Sequence, residues 1–133
     1  METIFTKIVK GEIPSYKIAE TENCFAFLDI SPIAKGHTLV IPKKQIDYIF
    51  DLDNELLSEL MTFAKVVAKA LEKVVPSKKI GISVIGLEVP HAHVHLVPMN
   101  ELHDMDFKKE RLKISDEEYR RLAKEIAENI GKE

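Results

Sequence analysis

Residues 91–96 read His-Ala-His-Val-His-Leu, with imidazoles alternating against small or apolar side chains. Side chains of a β-strand point to opposite faces in turn, so residues i, i+2 and i+4 share a face. The spacing predicts a strand over His91–Val97. It would project His91, His93 and His95 in a row, about 6.5–7 Å apart. Ala92, Val94 and Leu96 would then pack on a core. Three of the chain's five histidines thus fall on one sheet face. Imidazole exchanges protons, attacks electrophiles and binds metals near neutral pH, so this face is a candidate chemical site.

The rest of the pattern supplies neighbours for that strand. Ile4, Phe5, Ile8 and Val9 follow helical spacing behind Thr3, a capping residue, and Gly11 and Pro14 end the segment. Ser15–Ala19 alternates weakly. Cys24–Ile30 and Gly36–Pro42 read as strands joined by a loop that contains Asp29-Ile30-Ser31-Pro32. The strongest helix runs from Asn54 to Val75, capped by Asp53, with Leu57, Leu60, Met61, Ala64, Val67, Ala68, Leu71 and Val74 on its apolar face. Ile80–Ile85 should pair with the histidine strand as an antiparallel hairpin. Asn100–Lys113 is polar, with Met105 and Phe107 as docking points. Ser115 and Glu118 form a capping-box pattern before a last helix with Tyr119, Leu122, Ile126 and Ile130 on one face. The expected class is α+β, one domain over 1–133, with antiparallel strands and helices on one face.

Composition excludes several classes. The formal net charge is -3, and Lys43–Lys44 and Lys78–Lys79 are too small to make a nucleic-acid surface. No apolar run reaches the ~18 residues of a membrane span, and Met1-Glu2-Thr3-Ile4-Phe5 does not read as a signal peptide. The single cysteine, Cys24, lies in an apolar run and reads as a buried thiol. The expectation is a cytoplasmic protein with no nucleic-acid or membrane partner.

Four readings of the histidine face stay open on these grounds. A tautomer-fixed imidazole can attack phosphorus. A His-x-His pair with a further histidine can hold zinc, with Glu88 as the nearest carboxylate. The face can bind a ligand without chemistry, or it can be an exposed polar sheet face with no function.

His37, in Gly36-His37-Thr38-Leu39-Val40-Ile41-Pro42, brings in a wider pattern. Together with Asp29-Ile30-Ser31-Pro32 before it, this segment resembles the histidine triad (HIT) family of nucleotide hydrolases and transferases. Ile4–Pro14 is similar to that family's N-terminal segment, Phe25–Ile30 to its ribose-binding strand, and His91–Pro98 to the triad itself. The likeness runs in order over about residues 4–100 and leaves 101–133 as a C-terminal extension. It implies a five-stranded antiparallel sheet with a long helix, acting on a purine nucleotide without a cofactor or metal. By that resemblance His93 is the nucleophile that forms a nucleotidyl-imidazole, with His91, His95 and His37 as its partners. Asp29 would accept from the ribose hydroxyls, as an acceptor-only carboxylate can. Phe5, Ile8, Phe27, Ile30 and Leu39 match the base pocket, although each also suits plain core. Asp29 likewise suits a turn.

The chain departs from the family just before the triad. Typical members carry a longer loop with asparagine, glycines, glutamine and a serine or threonine. Here the loop is Gly86-Leu87-Glu88-Val89-Pro90, with Leu87 at the glutamine position and Glu88 at the hydroxyl position. A carboxylate near a phosphate repels it unless protonated or turned away, so Glu88 is a leaving-group candidate, as a general acid. The resemblance implies attack on the α-phosphate of a nucleoside phosphoramidate, adenylate or dinucleotide. The alternatives are a nucleotide-binding protein with little turnover and a His-ligated metalloprotein. A homodimer formed through the fourth strand and the long helix is expected, and the last helix is placed over the cleft or an intersubunit groove.

Overall fold

A computed structural model describes residues 1–132. The order of elements is α1 (Ile4–Val9), β1 (Lys17–Glu20), β2 (Cys24–Leu28), β3 (Thr38–Pro42), α2 (Asn54–Val74), β4 (Lys79–Ser83), β5 (Val94–Met99) and α3 (Asp116–Glu128). Short 3₁₀ turns occupy Ile49–Asp51 and Leu102–Met105. The five strands form one antiparallel sheet in the order β1-β2-β3-β5-β4. This is the expected α+β class.

Strand alternation divides the sheet's two faces. Ile18, Cys24, Ala26, Leu28, Val40, Val94 and Leu96 turn to one side and form the main core with Leu60, Ala64, Val67 and Leu71 of α2. Phe25, Phe27, Leu39 and Ile41 turn to the other side, where Phe5 and Ile8 of α1 cover them. The helices therefore do not all lie on one face. A six-residue helix needs little area, and Phe5 and Ile8 are enough to hold α1 on the second side.

Caps fall where the sequence places them. Thr3, Asp53 and Ser115 accept from the backbone N–H of Thr6, Leu56 and Glu118 respectively. Helix α2 buries Leu60, Ala64, Val67 and Leu71 of the expected stripe together with Phe63 and Ala70, while Leu57, Ala68 and Val74 are half-buried and Met61 is exposed. Cys24 is fully buried, and burial raises the pKa of its thiol.

The last helix does not cover the cleft. Tyr119, Leu122, Ala123 and Ile126 pack into the main core on the far face. The segment before it does reach the cleft, and Phe107 docks there.

The histidine strand begins later than its alternation suggests. Val40 pairs with Val94 and Leu39 with His95, so a continued register would set Pro42 opposite Ala92. Proline has no N–H to give the ladder. The Ala92 N–H turns instead to the carbonyl of Ile46 at 2.7 Å. His91 and His93 consequently lie ahead of β5, His91 in a bend, and of the three only His95 is a strand residue.

Candidate active site

Two polar loops and two strand ends converge over the second sheet face. The resulting cleft, about 590 Å³, is lined by Phe5, Ile8, Phe27, Asp29, Ile30, Leu39, Glu88, His93 and His95 among others. Every predicted base-pocket residue is there. Phe5, Ile8, Phe27 and Leu39 are buried, whereas Ile30 is 72% exposed and forms the rim. His37 and His91 do not reach the cleft wall. They are buried directly behind it, at 1% and 0% exposure. The cleft thus presents two imidazoles, not a row of three, because His91 precedes the strand and its ring faces inward.

Hydrogen-bond partners fix all four tautomers. The Ile33 N–H donates to Nδ1 of His37 at 3.1 Å, which puts the His37 proton on Nε2. That Nε2–H donates to Nδ1 of His95 at 2.9 Å. A neutral His95 then carries its own proton on Nε2, as a donor. The second pair works in the opposite sense. His91 Nε2–H donates to the Pro42 carbonyl at 2.8 Å, so its Nδ1 accepts from the Thr3 hydroxyl at 2.9 Å. His93 Nδ1–H donates to the His91 carbonyl at 2.7 Å. The nitrogen left free on His93 is Nε2, with its lone pair. The two cleft imidazoles have their ring centres 4.9 Å apart, and one offers a lone pair where the other offers a proton.

Burial holds the supporting rings neutral. Desolvation pushes both His37 and His95 down to about 3, helped by neighbouring positive charge, and lowers His91 as well. Asp29 Oδ2 lies 3.5 Å from His37 Nε2, but a neutral ring whose proton already points at His95 makes no ion pair.

Asp29 forms the turn that its sequence position allows. Oδ1 accepts from the Ser31 N–H at 2.8 Å and closes the turn. Oδ2 is the oxygen nearer His37. Its backbone is held by the bond from Asp29 N–H to the His37 carbonyl and by the Tyr119 hydroxyl on its own carbonyl, 2.9 and 2.8 Å long. Gly36, just before His37, has φ +89, and a Cβ there would lie 2.9 Å from a Val75 methyl. Only glycine fits that turn.

Asp29, His37 and His95 each offer a donor atom within 4.8 Å of the others, the spacing of a metal site. Both ring nitrogens of His37 and Nδ1 of His95 are already committed. His37 uses both ring nitrogens, and its proton lies on the line to His95 Nδ1. A cation would have to displace that hydrogen bond. His91 is turned to Pro42 and Thr3 and cannot join.

Several contributors are absent from the sequence pattern. Thr3, Thr6 and Gln45 form a small network: both the Thr3 N–H and the Thr6 hydroxyl donate to Gln45 Oε1, and the Thr3 hydroxyl supports His91. Phe107 sets its ring edge-on to His95, 4.7 Å between centres. Lys108 and Arg111 also line the cleft. The capping position of Thr3 was a visible signal, but long-range pairing of Gln45 with residues 3 and 6 has none.

The HIT domain family matches residues 10–102. The adenosine 5'-monophosphoramidase of Schizosaccharomyces pombe is 38% identical, over 98% of this chain and 99% of its own. A HIT-like protein of Bartonella henselae, solved with an unknown ligand, superposes with a TM-score of 0.83 at 32% identity, covering 96% of this chain and 95% of that one. A zinc-bound histidine triad family protein of Mycobacterium smegmatis does so with a TM-score of 0.80 at 29% identity, over 96% and 95%. With the triad, the sheet order and the region matched in agreement, the chain belongs to the HIT family.

Proposed function

We propose that this protein cleaves a purine nucleoside 5'-phosphoramidate or related phosphoanhydride by nucleophilic attack of His93. The observation that carries this reading is the opposed pair of tautomers in the cleft. His93 Nε2 has a free lone pair, fixed by the Nδ1–H bond to the His91 carbonyl. Attack forms a P–N bond and breaks the bond from phosphorus to the leaving group. The departing amine or oxygen takes a proton, which the Nε2–H of His95, beside His93 in the same cleft, would supply. Water then cleaves the P–N bond and yields the proton that replaces the one given to the leaving group, releasing the nucleoside monophosphate and returning His93 and His95 to their starting states. The S. pombe relative's activity on an adenosine monophosphoramidate supports the substrate class.

The base would lie among Phe5, Ile8, Phe27, Ile30 and Leu39, which suit a flat purine face. Asp29 Oδ2 would accept from the ribose. Assay of adenosine and guanosine phosphoramidates against wild type and His93→Ala tests the reading. Turnover by wild type and its loss in the variant are expected. A variant that keeps most of the rate would refute the assignment.

Two copies are proposed to pair through β4. It hydrogen-bonds only β5, so its outer edge is open, and Ile82 and Ile85 beside it are 51% and 48% exposed. An open apolar edge is a template for pairing with another chain. Light scattering at micromolar concentration should give twice the chain mass, and a monomer would contradict it.

A further inference from the structure

A phosphoryl group in this cleft needs positive charge, and the triad does not provide it. His37 and His91 stand behind the wall, and burial keeps them and His95 uncharged. The cleft also contains two carboxylates, Asp29 and Glu88. Among the described residues, the lysine and arginine side chains that line it are Lys108 and Arg111. Both lie beyond residue 102, where the family match ends.

The segment that carries them is built against the site. Phe107 packs on His95, and the Arg111 guanidinium carbon lies 5.8 Å over the Phe107 ring. Arg111 Nη1 donates to the Ser31 carbonyl at 2.9 Å and Nη2 to the Phe107 carbonyl at 3.0 Å. A guanidinium has five N–H donors, so three remain for a ligand. Its side chain is already held in place, which reduces the ordering cost of binding an anion. Its charge is near enough to contribute to the low pKa of both His37 and His95. Lys108 stands at the exposed mouth, its backbone N–H bonded to Asp106 Oδ1 at 2.8 Å.

We propose that Arg111 and Lys108 form the phosphate-binding wall of the cleft, with Arg111 as the fixed, forked contact and Lys108 as the mobile charge at the entrance. The C-terminal extension thereby meets the phosphate where Leu87 and Glu88 replace the polar residues expected before the triad. This inference rests on the nucleotide reading above and adds the residues that recognise the anion.

Binding of AMP and of adenosine, measured by calorimetry on the full chain, tests it. Charge-assisted hydrogen bonds set the scale. The double variant Arg111→Gln/Lys108→Gln should bind AMP about tenfold to a hundredfold more weakly and adenosine unchanged. Lys108→Gln alone, at an exposed position, should lower AMP affinity and flatten its salt dependence. Arg111→Lys, which keeps the charge and loses the fork, should recover only part of the loss caused by Arg111→Gln. If the double variant binds AMP as wild type does, or loses AMP and adenosine equally, the proposal falls while turnover by wild type leaves the functional reading standing. If wild type neither binds AMP nor cleaves adenosine 5'-phosphoramidate, both fall together.

Discussion

Thr3 illustrates how much a single hydroxyl can carry in this fold. It caps α1 through the Thr6 N–H and also donates to His91 Nδ1 across 88 positions of chain. Thr3→Val removes both contacts and leaves His91 Nδ1 only the longer approach of the Thr6 hydroxyl, at 3.4 Å. A loss of about 1–3 kcal/mol is expected, measured as a lower urea midpoint, together with a lower kcat. Thr3→Ser should restore most of both, and a serine variant as impaired as the valine would contradict the hydroxyl's role. Asp29 is the second residue whose chemistry can be isolated. Asp29→Ala should weaken ribonucleotide binding by about 1–3 kcal/mol and deoxyribonucleotide binding less. Equal losses with both sugars would exclude a ribose contact. The identity of both residues was visible in the sequence, as a cap and as an acid in a turn. Their second partners were not, because His91 and His37 come to them only through the folded sheet.

Among the elements, the sequence located the helices more accurately than the start of the histidine strand. Asp53 and Ser115 cap helices within a residue of their expected starts, since capping and 3.6-residue periodicity are local signals. The extent of β5 depends on its partner. Pro42 lies across from Ala92 by register and ends the ladder, so His91 and His93 leave the sheet although their alternation continues. The polar stretch after Asn100 held Phe107 as a docking point but gave no sign of where it docks. The pre-triad loop, by contrast, is a local feature with a local test. Glu88 is exposed and lines the cleft. If its carboxylate repels an anionic leaving group, Glu88→Ser should raise kcat/KM for dinucleotides more than for amine phosphoramidates. An unchanged ratio would show that Glu88 has no part in leaving-group choice.

At the scale of the whole molecule, the buried histidines link stability to acid. The pKa of His37 and of His95 falls from 6.5 to about 3 on folding. Between those values the unfolded chain binds protons that the folded one does not. The contribution of these groups to stability is therefore complete above about pH 6.5 and is lost as pH falls toward 3. Urea midpoints should drop between pH 7.5 and 5, and His37→Gln should show a shallower drop. Parallel profiles would mean that His37 does not titrate on unfolding. No described helix is long and apolar enough to cross a membrane, in line with the reading of the sequence. The central claim concerns the one imidazole lone pair that the hydrogen-bond network of the four histidines leaves free. Its most direct test is to denature the wild-type protein in alkaline urea during turnover of adenosine 5'-phosphoramidate, which preserves a P–N bond, and map the modified peptide by mass spectrometry. The account predicts one nucleoside monophosphoryl group, labile to acid, on His93. The same group found on His91, His95 or His37, with His93 unmodified, would contradict it.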